Sequence, residues 1–256
     1  MPKLRFYLNK ELDKVMAEQF LDEQGGGVDF SLGIFRTHPK LKNLKSLPEV
    51  NLRRQNISRY FNLYYKNHHQ EIEKKINQAK TAWRQREEEY VKITEDFFGG
   101  WKFPAGRYIA YASIIDCNPR FLESKTFQFF YKKSLDDTIH TIAHELLHFI
   151  FFDFVEKNFK NEAKRLSEEQ LWDLSEIFNI VVLKSSHYRS IIDPRVKITP
   201  YPDHQPYLKI FEEIHQNSAG AEEFIRKSIN AIKKIRKDKP SPINRTDIAL
   251  KKRKIA

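Results

Sequence analysis

The chain has 256 residues, 31% of them charged and 40% hydrophobic, with a formal net charge of +11 at neutral pH. One cysteine excludes an intrachain disulfide, and no run approaches the ~18 apolar residues that span a bilayer, so disulfide-stapled scaffolds and helical membrane proteins are set aside. The opening residues hold no apolar stretch of signal-peptide length, so a cytoplasmic location is expected.

Residues 3–8 read as a strand and residues 11–21 as a short helix, with Gly25, Gly26 and Gly27 as its stop. Residues 51–98 read as mostly helical, because Ile72, Ile76, Ala79, Trp83, Tyr90 and Phe97 recur at spacings that keep one face apolar. Such a stripe is a packing face. His68 and His69 adjoin it, but neighbours on a helix point about 100° apart and chelate poorly. Gly99 and Gly100 end the run. Two segments, 107–115 and 126–131, are rich in β-branched and aromatic residues and are bounded by Pro104, Gly106, Asn118 and Pro119, which marks them as strands.

Residues 135–152 read as a helix opened by Ser134, with Asp137 where a capping box usually has Glu or Gln. Ile139, Ile142, Leu146, Leu147 and Ile150 cover most of its circumference, so it is expected to be buried. Within it His144 and His148 stand four apart on one face with Glu145 beside the first. Unpaired polar groups in such a helix cost a few kcal/mol each, and one metal ion would satisfy all three. The plainer alternative is two core histidines bonded to backbone carbonyls, with Glu145 reaching solvent. His140, one turn earlier, is read as a bystander or an outer support.

A catalytic zinc usually has three protein ligands and an open position. The histidine extension of metzincins would fall at residue 154, which is Phe154, and methionine occurs only at positions 1 and 16, so that class is excluded. Residues 167–183 read as a second helix, opened by a capping box of Ser167 and Gln170. Glu168 and Glu169 suit the positive end of its dipole. Glu176 instead lies among Leu174, Ile177, Phe178 and Ile180, where a carboxylate needs a cation or a donor. It is the first choice for third ligand, with Glu169 and Asp173 in reserve. Trp172 and Asn179 share its face.

A helix carrying His144, Glu145 and His148, followed by a helix carrying Glu176, resembles the gluzincin-type zincin metallopeptidases. The stretch from Glu176 to Asn179 is similar, more narrowly, to cytoplasmic members that cleave repressors in phage and stress-response systems, and to bacterial families near them. The resemblance covers about 45 of the 256 residues and departs from the thermolysin-like pattern at Ile180, where an Asp would support the first histidine. It implies an α+β, zincin-like fold: a small mixed sheet, an active-site helix and a second ligand-bearing helix. The division expected is a mainly helical N-terminal part (1–100), a metallopeptidase core (101–230) and a basic disordered tail (231–256).

The implied chemistry is peptide hydrolysis with one zinc ion per chain held by His144, His148 and Glu176. Water acidified by the metal would lose its proton to Glu145, the general base, which returns it to the leaving amine. A peptide or protein substrate would pair with one of the strands preceding the active helix. The oxyanion needs a further donor, for which His187, Tyr188, Tyr201, His204 and Tyr207 are available in or near the Pro-rich loop 199–207; His204 is the first choice. Two other readings compete: a zincin-fold metal-binding regulatory protein without turnover, and a basic nucleic-acid-associated protein whose motif is coincidental. The tail around residues 251–254 would serve the latter, by contact with nucleic acid or an anionic surface.

Overall fold

The computed structural model describes residues 3–235. Strand β1 (Leu4–Leu8) buries Leu4 and Phe6 and exposes Arg5 and Tyr7, the alternation of a half-covered strand. Asn9 then caps helix α1 (Lys10–Phe20), its side chain accepting a hydrogen bond from the Leu12 amide at 3.0 Å. The glycines at 25–27 do more than stop that helix. They form a small hairpin of β2 (Gln24–Gly25) and β3 (Val28–Asp29), with Gly26 and Gly27 at positive φ in the turn.

Helix α2 (Ser31–Thr37) and a 3₁₀ segment (Pro39–Leu44) lead into α3 (Val50–Arg84), 35 residues long. Its apolar stripe is buried, and it packs on α1 and β1. The helical stretch read from the sequence is two helices, since the chain breaks at Gln85 and Arg86 before α4 (Glu87–Phe97). Strands β4 (Tyr108–Ser113), β5 (Arg120–Phe121) and β6 (Thr126–Phe130) complete a sheet of order β1-β4-β6-β5 among the described residues. The first three run parallel, and β5 pairs antiparallel with β6. Every residue of β6 is buried, as expected of an interior parallel strand covered on both faces.

Helix α5 (Leu135–Asn158) crosses beneath the sheet, six residues longer than the sequence suggested. Ser134 caps it: its hydroxyl accepts from the Asp137 amide at 3.1 Å. A short α6 (Lys160–Ala163) turns the chain into α7 (Glu168–Lys184), which opens with the expected reciprocal box between Ser167 and Gln170 and packs along α5. The loop 199–207 follows, then α8 (Leu208–Gln216) and α9 (Ala221–Ile235).

The part before residue 100 and the part after it share one hydrophobic cluster, since β1 pairs with β4 and α3 packs on α5. Residues 231–235, assigned to the basic tail, continue α9, with Ile232 buried; the rest of that tail lies outside the described residues. No described helix is long and apolar enough to cross a membrane.

Candidate metal centre

Helices α5 and α7 place His144, His148 and Glu176 together. His144 Nε2 is 3.0 Å from His148 Nε2 and 3.1 Å from Glu176 Oε2, and His148 Nε2 is 3.3 Å from Glu176 Oε1. Donors around a tetrahedral zinc, at about 2.0–2.1 Å from the ion, lie about 3.3 Å from one another, so the three groups have the spacing and chemistry of a zinc shell. Neither histidine gives its Nε2 to a backbone carbonyl, as ordinary core histidines would. His148 is fully buried, and its Nδ1 has no hydrogen-bond partner among the described residues. The two imidazoles meet in a T-shaped arrangement, and one divalent cation would satisfy them together with the carboxylate.

The helix turn that carries the histidines is held from two sides. The Asn179 amide donates to the His144 carbonyl at 2.8 Å, and the Tyr90 hydroxyl donates to the Ala143 carbonyl at 2.7 Å. These bonds tie α5 to α7 and α4 at the level of the site. They do not replace the missing carboxylate at Ile180; the support they give is to the backbone. Phe152 stacks on the His148 ring at 6.1 Å between centroids.

Burial and neighbouring charge set the protonation of the site. Burial pulls His144 down, but the Glu176 carboxylate outweighs it and leaves the ring above its ordinary value. Burial, with Arg120 nearby, holds His148 well below the usual imidazole range. Burial would raise Glu176, yet the two histidines draw it well below the carboxylate range. Glu145 is pushed up to about 7, chiefly by burial, with His144 and Arg120 opposing. It does not reach bulk solvent, being 5% exposed. Its place is on the wall of a cavity of about 480 Å³, which His144, Glu176 and His140 also line. His140 makes no part of the three-ligand cluster, and burial holds it near 3, a neutral ring on the cavity wall.

His204, the residue expected to face the reacting oxygen, is not on the cavity wall. It is 1% exposed, and its Nε2 lies 2.8 Å from Asp173 Oδ1 on α7, behind Trp172. That pair ties the Pro-rich loop to α7, and so accounts for Asp173 as well. Of the other donors considered, Tyr188 is buried against Thr94 at 3.0 Å, while Tyr201 does line the cavity. The ring of Tyr201 lies 5.1 Å from that of Trp172 and 6.4 Å from that of Phe30, which forms an aromatic wall continued by Phe20. Glu169 lines the cavity without joining the cluster.

Arg120 has no counterpart in the sequence reading. Strand β5, paired to the first residues of β6, swings its side chain across the sheet edge to the two helices. Nη1 donates to Glu176 Oε1 at 3.1 Å and lies 3.8 Å from Glu145 Oε2, while the guanidinium sits 5.5 Å over the Phe152 ring. Its trace in the sequence is one cation between Pro119 and Phe121, and nothing there tells which way it points. The strands expected to receive substrate are also placed differently: β4 is paired on both sides, and β6 lies between β4 and β5. The sheet edge beside the site is therefore β5.

Comparison of the chain with models of known families, with curated proteins and with solved structures gave no match in any of the three.

Proposed function

We propose that this chain is a zinc-dependent peptidase of zincin-like fold that works in the cytoplasm on peptide or protein substrates. The observation that carries the reading is the convergence of His144 Nε2, His148 Nε2 and the Glu176 carboxylate within 4.8 Å, with Glu145 on the wall of the same cavity. Zinc in such a site supplies a Lewis acid that polarises a carbonyl and acidifies water near neutral pH. His144 and His148 would hold it through Nε2, and Glu176 would supply the anionic ligand. Glu145 takes the proton of the attacking water and delivers it to the leaving amine. The aromatic wall of Phe20, Phe30, Trp172 and Tyr201 excludes water from one side and offers contact to an apolar side chain.

Elemental analysis of protein purified without chelators tests the site. Wild type should carry near one zinc per chain, and His148→Ala and Glu176→Ala should carry none. A folded wild type that takes up no zinc on incubation would remove the reading. Glu145→Gln should retain zinc and lose cleavage of an unfolded protein such as casein; a metal-binding regulator would keep its function in that variant.

A further inference from the structure

We propose that Arg120 is the donor that holds the substrate's carbonyl oxygen during hydrolysis, an inference that rests on the peptidase reading. His204, buried against Asp173, is out of reach of the cavity. The position it leaves open is served by the one guanidinium on the cavity wall.

Arg120 is held where such a donor is needed. Its Nη1 anchors on Glu176 Oε1, and the plane of the group rests over Phe152. A guanidinium has five N–H donors. Among the described residues Arg120 gives one hydrogen bond, at 3.1 Å to Glu176. None of its nitrogens is a buried atom lacking a partner, and the residue lines the cavity with Glu145 and Glu176, so N–H groups remain for a further acceptor there. The anchor is itself a pairing of buried charges and fixes the fork without using it up.

The movement of charge during the reaction fits this position. The water oxygen bonds to the carbonyl carbon, one water proton passes through Glu145 to the amine nitrogen, and the C–N bond breaks. The products are a carboxylic acid and an amine, with no other reactant consumed. As Glu145 accepts its proton it loses its charge, and a negative charge appears on the former carbonyl oxygen. Arg120 Nη1 stands 3.8 Å from Glu145 Oε2, so the carboxylate that is neutralised is the one it attracts without bonding. Its field is then directed to the new oxyanion, and the interaction is stronger in the transition state than before it.

The test compares Arg120→Gln, Arg120→Lys and Tyr201→Phe with wild type, by zinc content and by affinity for two probes. One is a phosphinic Phe-Phe peptide, whose tetrahedral anion mimics the charge that develops. The other is the planar amide of the same sequence, measured in a Glu145→Gln background so that it is not turned over. Arg120→Gln should keep one zinc per chain and bind the planar probe within about 3-fold of wild type, while affinity for the phosphinic probe falls about 100-fold. Arg120→Lys, which keeps the charge without the fork, should fall between. The proposal is overturned by unchanged phosphinic affinity in Arg120→Gln, by a loss confined to Tyr201→Phe, or by loss of zinc from Arg120→Gln, which would make Arg120 a support for Glu176 alone. Failure of the peptidase reading itself would show earlier and separately, as wild type without zinc.

Discussion

Gly26 in the β2–β3 turn lies against the ring of Tyr201 so closely that a β-carbon on it would sit 2.8 Å from Tyr201 Cγ. The two residues come from opposite ends of the chain, and their contact holds the aromatic side of the cavity in place. Gly99 has a similar φ, +66° against +59°, but nothing within 4 Å of its missing β-carbon. Gly99→Ala therefore carries the backbone strain alone, and Gly26→Ala carries that strain plus a clash with Tyr201. Urea unfolding should show Gly99→Ala destabilised by about 1 kcal/mol and Gly26→Ala by about 1–3 kcal/mol more. Equal costs would mean that the Tyr201 ring moves aside freely.

The zinc proposed for the site should also stabilise the fold, because His144, His148 and Glu176 come from two helices that meet only in the native state. At a free zinc concentration 100 times the dissociation constant the gain is about 2.7 kcal/mol. Thermal unfolding of wild type should shift upward with zinc and return with a chelator, and neither change should occur in Glu176→Ala. Asn179→Ala, which frees the His144 carbonyl without touching a ligand, should bind zinc about 10–100-fold more weakly.

The pair of His204 and Asp173 predicts a structural phenotype rather than a chemical one. Both side chains are buried, and their bond fastens the loop 199–207 to α7. His204→Ala should destabilise the protein by about 1–3 kcal/mol, the cost of removing one partner of a buried hydrogen bond. At temperatures where the variant is folded, its zinc content should equal that of wild type. Loss of zinc from a folded His204→Ala would place this residue in the centre after all.

His38 and Asp13 both bind the backbone of Ile114 and give stability opposite dependences on pH. His38 Nε2 donates to the Ile114 carbonyl at 2.8 Å, and the Asp13 carboxylate accepts from the Ile114 amide at 2.9 Å. Burial lowers His38 from 6.5 to about 4, so between those values the unfolded chain binds more protons and stability is lost as pH falls. Burial raises Asp13 from 3.8 to about 6, against the donors Tyr65, Ile114, Ser113 and Gln128. There the folded state binds more protons, and stability is lost as pH rises from about 4 to 6. Each effect amounts to about 3 kcal/mol over the window, and in wild type they largely offset. His38→Gln keeps a donor for the Ile114 carbonyl and removes the titration. Relative to wild type it should gain about 3 kcal/mol between pH 7 and pH 4 in urea unfolding; a constant difference across that range would mean that His38 takes up no proton on unfolding.

The sequence by itself determined the local pieces. A four-residue separation on a helix puts His144 and His148 on one face whatever surrounds them, and a carboxylate deep in an apolar helix marked Glu176 as needing a cation. Both caps, at Ser134 and Ser167, followed from side-chain chemistry within one turn, and strands β1, β4 and β6 from their composition. What only the tertiary structure decided was direction across the chain. Arg120 enters the site because the antiparallel pairing of β5 with β6 turns it there, and His204 leaves it because Asp173, 31 residues earlier on α7, is the nearer buried partner. A helix fixes the relative positions of residues a turn apart, whereas a loop residue or a two-residue strand takes its orientation from whatever element it packs on. That is why the cluster of His144, His148 and Glu176 was legible in the sequence and the place of Arg120 beside it was not.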